Sequence, residues 1–181
     1  MSPAPRARAS ALRLLAALVL AACAGPEPAP LAVAEGVDLE RYLGSWYEIA
    51  SYPTRFQRGC SRTRAHYARG EDGTLLVRNE CMREGELATI EGTAWVADED
   101  PAKLRVRFFW PFSAPYWILA LDPDYRWALV GTPDRGYLWV LARTPALEEE
   151  TFRAIVDHAA VQGFDPARLV RTEQEATSPS R

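Results

Sequence analysis

Apolar and polar residues alternate in short runs along the chain, and turn residues interrupt the runs about every ten positions. Residues 104–108, Leu-Arg-Val-Arg-Phe, alternate strictly between apolar and charged side chains, as a half-buried strand does. Acidic, glycine and proline residues at 71–73 and 98–101 mark turns between neighbouring runs. The pattern predicts eight strands, at residues 46–51, 61–68, 75–81, 90–96, 104–108, 116–121, 127–131 and 137–143.

Sequential strands with short connections predict an all-β fold in which an antiparallel, eight-stranded, up-and-down barrel closes on itself. A barrel of this size is just wide enough to hold one small ligand. A β-sandwich is the structural alternative.

One α-helix is predicted after the last strand. Its apolar residues form a single stripe, made of Phe152, Ile155, Val156 and Ala159. Thr144 is predicted to be its N-cap, and Gly163 is predicted to lie just beyond its C-terminus. Because residues 117–121 and 138–141 are apolar on both faces, we expect the helix to pack on the outside of these strands.

The N-terminal segment has the composition of a secretory signal peptide. Residues 1–22 contain three arginines and no acid, and their apolar run of nine residues is far short of the ~20 needed to span a bilayer. The following Leu20-Ala21-Ala22-Cys23 resembles a bacterial lipobox, which predicts acylation of Cys23, with palmitate among the expected chains. Ala24 in place of Asp favours the outer membrane, facing the periplasm. An ordinary signal peptide with a chance cysteine is the alternative.

Signal removal changes the charge of the protein. The chain has 21 basic and 24 acidic residues and a net charge of -3, and loss of residues 1–22 leaves 18 basic and 24 acidic residues. This balance argues against nucleic-acid binding, and it means that acyl chains must hold the protein to an anionic membrane. We expect a signal peptide at 1–22, a lipidated tether at 23–36, the barrel domain at 37–175 and a disordered tail at 176–181.

Three motifs in the expected order resemble the signature of the lipocalins. Gly44-Ser45-Trp46-Tyr47 opens the first strand, Asp122-Pro123-Asp124-Tyr125 lies between strands six and seven, and Arg143 ends strand eight. The similarity covers residues 37–172. Residues 128–145 further resemble the bacterial outer-membrane lipocalins, which are relatives of apolipoprotein D.

The resemblance implies a role for each motif and a phase for each strand. Gly44, Trp46 and Arg143 are expected to be structural, with the indole closing one end of the barrel and the guanidinium packing over it. Ala50, Gly92 and Ala120 are expected to face inward. Alternation from Arg143 predicts Trp139 and Tyr137 as ligand-binding residues, and the alternation of residues 104–108 adds Val106 and Phe108. The resemblance to retinol-binding lipocalins implies the same role for Ile90, Ala94, Tyr116 and Ile118, and the predicted wall is completed by Ala65, Tyr67, Leu75 and Val77.

The predicted interior and its mouth also contain polar, charged and aromatic residues. Glu48 shares the inward phase of Trp46, so its carboxylate needs a partner if it is buried. The loops at the mouth contain four aromatic residues, Tyr52, Phe56, Trp110 and Phe112. As exposed side chains they could gate ligand entry or contact a lipid surface, and equally they could fold in as a lid. Three arginines in these loops could contact an acidic head group, Arg55, Arg58 and Arg135. They could equally be solvated.

Cys60 and Cys81 are expected to form a disulfide, since export delivers them to an oxidising compartment. A regular pairing of strands two and three would place them on opposite faces, so the bridge requires a bulge or a strand end at Cys60. The alternatives are two inert thiols or a metal pair. A metal pair is disfavoured because the chain has two histidines and no CxxC spacing.

The predicted wall suits a long apolar ligand with one polar end. We expect a lipid-anchored outer-membrane lipocalin that binds or transports fatty acids or lysophospholipids in envelope lipid storage or maintenance, with no cofactor. A filled barrel that displays a surface is the main alternative. No nucleophile elbow or HExxH motif supports an enzyme, although some lipocalin relatives are enzymes. The sequence leaves open the ligand, the direction of transport and whether the protein is a homodimer.

Overall fold

The computed structural model describes residues 29–174. A short helix, α1 (Leu39–Tyr42), precedes the barrel, and a longer one, α2 (Glu149–Val161), follows it. The barrel strands are β1 (Gly44–Ser51), β2 (Cys60–Arg69), β3 (Leu75–Arg83), β4 (Glu86–Val96), β5 (Lys103–Phe109), β6 (Phe112–Leu121), β7 (Trp127–Gly131) and β8 (Leu138–Ala142). A two-residue strand, β9 (Val170–Arg171), lies at the C-terminal end.

The strands form a closed antiparallel barrel. Consecutive strands pair from β2 to β8, and β1 closes the ring because it pairs with both β8 and β2. This closure confirms the eight-stranded barrel with one C-terminal helix and excludes the sandwich. The loops after β1, β3, β5 and β7 therefore gather at one end, and α1 lies at the other.

Helix α2 packs on the outside of the barrel, as expected. Phe152, Ile155 and Ala159 are buried in a cluster with outward-facing residues of β1, β6, β7 and β8, which is called the helix-side cluster below. Gly163 follows the C-cap residue with φ of +86°, which confirms its place beyond the helix. The predicted start at Thr144 is wrong, because its hydroxyl donates to the carbonyl of Ala146 in a bend and the N-cap is Glu148.

Bulges reverse the facing of two residues that alternation had placed inside. The pairing register shifts between Glu48 and Ala50 in β1, and between Ile118 and Ala120 in β6. Ala50 and Ala120 consequently pack in the helix-side cluster, and Leu121 turns to the interior instead. A bulge adds one residue to one strand, so every later residue of that strand changes face.

The segment expected to be a tether is partly built into the domain. Leu31 is buried in the helix-side cluster, and the backbone N–H of Ala34 donates to the carbonyl of Ile118 at 2.9 Å. Leu31 and Val33 therefore pack on the helix-side cluster, and Val33 and Ala34 also contact the interior cluster. The expected signal peptide, Cys23, and the expected tail at 176–181 lie outside the described residues. Within residues 29–174, no helix is long and apolar enough to cross a bilayer.

Candidate ligand-binding site

The closed end of the barrel is sealed by Trp46. The indole is fully buried and donates from Nε1 to the carbonyl of Tyr42 at 2.8 Å. The Arg143 guanidinium lies 3.8 Å from the centroid of the indole. Its N–H groups donate to the carbonyls of Arg41, Ser45 and Tyr125 at 2.8, 3.0 and 3.3 Å. Three N–H groups of the cation and its packing on the indole therefore help to close the barrel.

Gly44 is required by the same arrangement. Its φ is +94°, and a Cβ there would lie 3.3 Å from Nη1 of Arg143. A side chain would therefore strain the backbone and crowd the guanidinium.

The second motif builds the turn between β6 and β7. The carboxylate of Asp122 is buried and accepts from the backbone N–H groups of Asp124 and Arg126 and from the guanidinium of Arg126 at 2.8 and 2.9 Å. The hydrogen bonds from Arg126 lower the pKa of Asp122. The Tyr125 hydroxyl accepts from the N–H of Asp38 at 2.7 Å, which ties the turn to the residues before α1.

The interior brings together ten of the twelve predicted ligand-binding residues in one apolar cluster. Those nearest the closed end are buried, namely Tyr67, Leu75, Val77, Ala94 and Ile118. Those nearer the open end are only partly buried, namely Ala65, Val106, Phe108, Tyr116 and Trp139. The half of the barrel nearer the closed end, the lower half, is thus filled. The apolar wall of the half nearer the open end, the upper half, is accessible.

Ile90 and Tyr137 lie outside this cluster. Ile90 is partly buried and is paired with Asn79. Tyr137 is 41% exposed at the mouth, where its ring stacks on Trp139 with centroids 5.8 Å apart. Tyr137 can therefore extend the wall only at the entrance.

Gly92 sets the width of the interior beside Phe108. A Cβ on Gly92 would lie 2.7 Å from the ring of Phe108 and 2.5 Å from the carbonyl oxygen of Arg107. The inward phase expected for Gly92 is confirmed by this contact. The aromatic ring occupies the space that a side chain on β4 would otherwise fill.

Three tyrosines form the floor of the accessible half. The Tyr116 hydroxyl lies 2.8 Å from that of Tyr42 and 2.8 Å from that of Tyr67. Burial raises the pKa of Tyr67 to about 12 and raises those of Tyr42 and Tyr116 well above their ordinary value. All three phenols are therefore neutral hydrogen-bonding groups at physiological pH.

A polar region lies on the β1 side of the upper barrel. The Glu48 carboxylate, 5% exposed, accepts from Ser51 Oγ at 3.0 Å, Gln57 Nε2 at 2.5 Å and Thr172 Oγ1 at 2.6 Å. It thus has the partners that its burial requires. A cavity of about 470 Å³ opens beside it. The lining includes Thr54, Arg55, Arg58, Thr63 and Thr172.

Two polar residues of the interior were missed by the sequence argument. Among residues 29–174, the barrel strands contain two buried side-chain oxygens without a hydrogen-bond partner, Thr63 Oγ1 and Asn79 Oδ1. Asn79 pairs with Ala65 and Ile90, so it shares their face. Counting two residues on from Val77 would have found it. Counting two residues back from Ala65 reaches Thr63, which lies within the register shift between Ser61 and Arg64.

Three aromatic side chains at the mouth are exposed rather than folded in, namely Phe56, Trp110 and Phe112, which are 77%, 84% and 77% exposed. Tyr52 differs from them and is buried. Its ring is buried against Phe164, and its hydroxyl donates to the carbonyl of Asp165 at 2.9 Å. The outer layer formed by the C-terminal segment covers it.

The arginines of the mouth also differ from one another. Arg55 and Arg58 line the cavity beside Glu48. Arg135 donates to the carbonyls of Gln162 and Ala29 at 2.7 and 2.6 Å. It thus joins the end of α2 to the N-terminal segment and is not available to a head group.

Cys60 and Cys81 form the expected disulfide, with an S–S distance of 2.03 Å. The pairing of β2 and β3 shifts register between Ser61 and Arg64, so the required bulge is present. The bridge ties the open ends of these strands together. Within the described residues, no group of three or more His, Cys, Asp or Glu could hold a metal ion.

The fold and the interior define a calyx, a closed barrel whose apolar interior is reached from one end. The chain belongs to the lipocalin-like family, since the model of the lipocalin-like domain matches residues 37–174. The family membership confirms the resemblance carried by the three motifs.

Relatives cover most of the chain. Temperature-induced lipocalin-1 of Arabidopsis thaliana is 45% identical over 163 residues, covering 84% of this chain and 88% of its own. Outer membrane lipoprotein Blc of Escherichia coli K12 is 39% identical over 163 residues, which cover 88% of this chain and 92% of the relative. Apolipoprotein D of Bos taurus is 36% identical over 152 residues, which cover 78% of this chain and 79% of the relative.

A solved structure supports the fold. Insecticyanin from the tobacco hornworm Manduca sexta matches with a TM-score of 0.65 at 20% identity, covering 83% of this chain and 86% of that chain. At this identity the likeness shows a shared architecture only.

Proposed function

We propose that the protein binds lipid-sized hydrophobic ligands in the upper half of the barrel and stores or transports them. The observation that carries the proposal is the partly exposed apolar wall of Val106, Phe108 and Trp139 above a filled lower half. Apolar surface in a concave site gains free energy when an apolar ligand covers it. Fatty acids and lysophospholipids are the ligands we propose first.

The proposed location is the outer membrane, with a lipid anchor on Cys23 and the barrel in the periplasm. Leu20-Ala21-Ala22-Cys23 supports it, as does the similarity to outer membrane lipoprotein Blc. Radiolabelled palmitate fed to growing cells should label the protein, and Cys23→Ser should abolish the label. Cys81→Ser is the control and should retain it. Label that survives Cys23→Ser would overturn the proposed anchor.

Native mass spectrometry of residues 24–181 after growth in cells tests the binding function, since this fragment contains the whole described barrel. We expect a lipid-sized adduct that Trp139→Arg removes, because the cation would occupy the apolar wall. Leu76→Arg is the matched control, since Leu76 is exposed outside the barrel beside inward-facing residues. No adduct, together with no change of tryptophan emission on adding fatty acid, would favour the filled barrel.

We further propose that the protein is a binding protein rather than an enzyme, as lipocalins generally are. Turnover of a lipid ester by the purified domain would overturn this assignment. The proposal includes no cofactor, and a homodimer would be detected in the same mass spectra.

A further inference from the structure

The three tyrosines of the pocket floor leave one hydroxyl proton without an acceptor within their cluster. Tyr42, Tyr67 and Tyr116 have three O–H protons, but only two O···O contacts join them. The contact geometry makes Tyr67 the donor to Tyr116. In the other contact either oxygen can donate. The position of the remaining proton therefore depends on the direction of the hydrogen bond between Tyr42 and Tyr116.

Burial decides between the two directions. If Tyr116 donates to Tyr42, the spare proton belongs to Tyr42, which is fully buried against Trp46 and Tyr67. A buried donor without an acceptor costs about 1–3 kcal/mol. If Tyr42 donates to Tyr116, the spare proton belongs to Tyr116, the one tyrosine of the three that is only partly buried. The second arrangement is favoured because that proton can face the accessible half of the barrel.

Two incoming hydrogen bonds also make Tyr116 a better donor. Each bond that its oxygen accepts polarises its own O–H group, and chains of such bonds strengthen one another in a low dielectric. The raised pKa values keep all three phenols protonated. Tyr116 is thus a neutral donor at the floor of the accessible pocket.

We propose that the Tyr116 hydroxyl is a polar anchor that binds a hydrogen-bond acceptor at the inner end of the ligand. This inference rests on the proposed binding function and adds a second ligand class to the fatty acids and lysophospholipids proposed first, namely ligands whose leading end has an uncharged acceptor, such as a ketone, aldehyde, ester or ether oxygen. An ionised carboxylate is not expected at this leading end, because the Arg143 guanidinium packs on Trp46 and three of its N–H groups are engaged by backbone carbonyls. The ligand enters with this end first, and the rest of its chain lies along Val106, Phe108 and Trp139.

Two ligands of nearly equal shape test the anchor. 2-Dodecanone has a carbonyl at one end, and 2-methyl-1-dodecene has a methylene group in place of that oxygen. Their dissociation constants for residues 24–181 are measured by titration of tryptophan emission. The quantity of interest is the ratio of the alkene Kd to the ketone Kd, since it cancels general changes in the pocket.

Tyr116→Phe should lower this ratio by about 2- to 10-fold, as expected for the loss of one neutral hydrogen bond. Tyr67→Phe is the comparison variant, because it removes one of the two hydrogen bonds that Tyr116 accepts but leaves the proton of Tyr116 in place; it should lower the ratio less than Tyr116→Phe does. Infrared spectra of 2-dodecanone labelled with ¹³C at the carbonyl provide a second readout. The bound carbonyl band should lie at lower frequency in the wild type and in Tyr67→Phe than in Tyr116→Phe.

The outcomes separate the anchor from the binding function. Binding of both ligands with the same ratio and the same carbonyl band in all variants would overturn the anchor and leave the pocket intact. Failure of both ligands to bind the folded wild-type protein would overturn the proposed function and the anchor with it. Near-ultraviolet circular dichroism identifies a variant whose pocket has not formed, and the infrared band in Tyr67→Phe then still tests the anchor.

Discussion

Replacement of Thr172 by valine should destabilise the barrel by about 1.5–3 kcal/mol. Thr172 Oγ1 donates to the buried carboxylate of Glu48 at 2.6 Å, from a segment 124 residues away in sequence. Hydrogen bonds to charged groups have net values in this range. The lower end of the range applies if water from the adjoining cavity takes the place of the lost donor. Valine keeps nearly the same shape, so the loss of the donor dominates the change.

The carboxylate would keep two donors after this change. Ser51 still donates to Oε1 at 3.0 Å, and Gln57 still donates to Oε2 at 2.5 Å. The C-terminal segment would also keep its backbone bonds, including the N–H of Thr172 to the carbonyl of Ile49 and the N–H of Arg62 to the carbonyl of Glu173. We therefore expect a destabilised but folded barrel.

Urea unfolding followed by tryptophan emission measures the effect. Thr89→Val is the matched control, since Thr89 is exposed on β4, and it should change the free energy of unfolding by no more than about 0.5 kcal/mol. Glu48→Gln, alone and combined with Thr172→Val, completes a double-mutant cycle with an expected coupling of about 0.5–3 kcal/mol. Equal effects of Thr172→Val and Thr89→Val, or strict additivity in the cycle, would refute the reasoning.

Three further predictions concern stability. Cys60→Ser with Cys81→Ser should lower the free energy of unfolding in urea by about 3 kcal/mol, because the bridge spans a sequence separation of 21 residues and restricts the unfolded chain. Arg126 lowers the folded-state pKa of Asp122, so the ionised carboxylate of Asp122 stabilises the fold above about pH 4, and this contribution is lost as the pH falls further. The difference in free energy of unfolding between the wild type and Asp122→Asn should therefore shrink from pH 7 to pH 3. Burial raises the pKa of Tyr67 to about 12, so its neutral phenol stabilises the fold below about pH 10 and this stability is lost as the pH rises towards 12; absorbance at 295 nm should show its ionisation far above the ordinary range.

Each of these has a result that would contradict it. For the disulfide, the reduced wild type should match the double variant, and a stability equal to that of the oxidised wild type would be inconsistent with a bridge. For Asp122, a pH-independent difference would show that its charge is not the stabilising feature. For Tyr67, the absorbance at 295 nm of Tyr67→Phe should follow that of the wild type below pH 11. A smaller rise in absorbance near pH 10 in the variant than in the wild type would indicate that the Tyr67 phenol is accessible.

Local pattern was sufficient for the strands and most of the interior wall. Alternation in β2, β3 and β5 placed Ala65, Val77 and Val106 on the inner face, because a side chain in a regular strand changes face at every residue. The motif residues Trp46 and Arg143 indicated which face of β1 and β8 was inward. For β4 and β6, the resemblance to known lipocalins supplied the inward phase.

Where strands are irregular, only the assembled barrel determined the outcome. The bulges that turn Ala50 and Ala120 towards the helix depend on the pairing of β1 with β8 and of β6 with β7. Tyr52 is covered by Phe164, and the helix begins five residues later than its apparent cap. None of these features has a local signature, because each depends on which chain segment lies alongside.

The polar groups of the interior show the same division. Sequence predicted that a buried Glu48 would need a partner, and the tertiary structure supplied Thr172 from the far end of the chain. Alternation placed Tyr67 and Tyr116 inside, but their hydrogen bonds to each other and to Tyr42 arise only where β2, β6 and α1 meet. Periodicity assigns a residue to a face, whereas the distance between two side chains depends on the packing of the whole barrel.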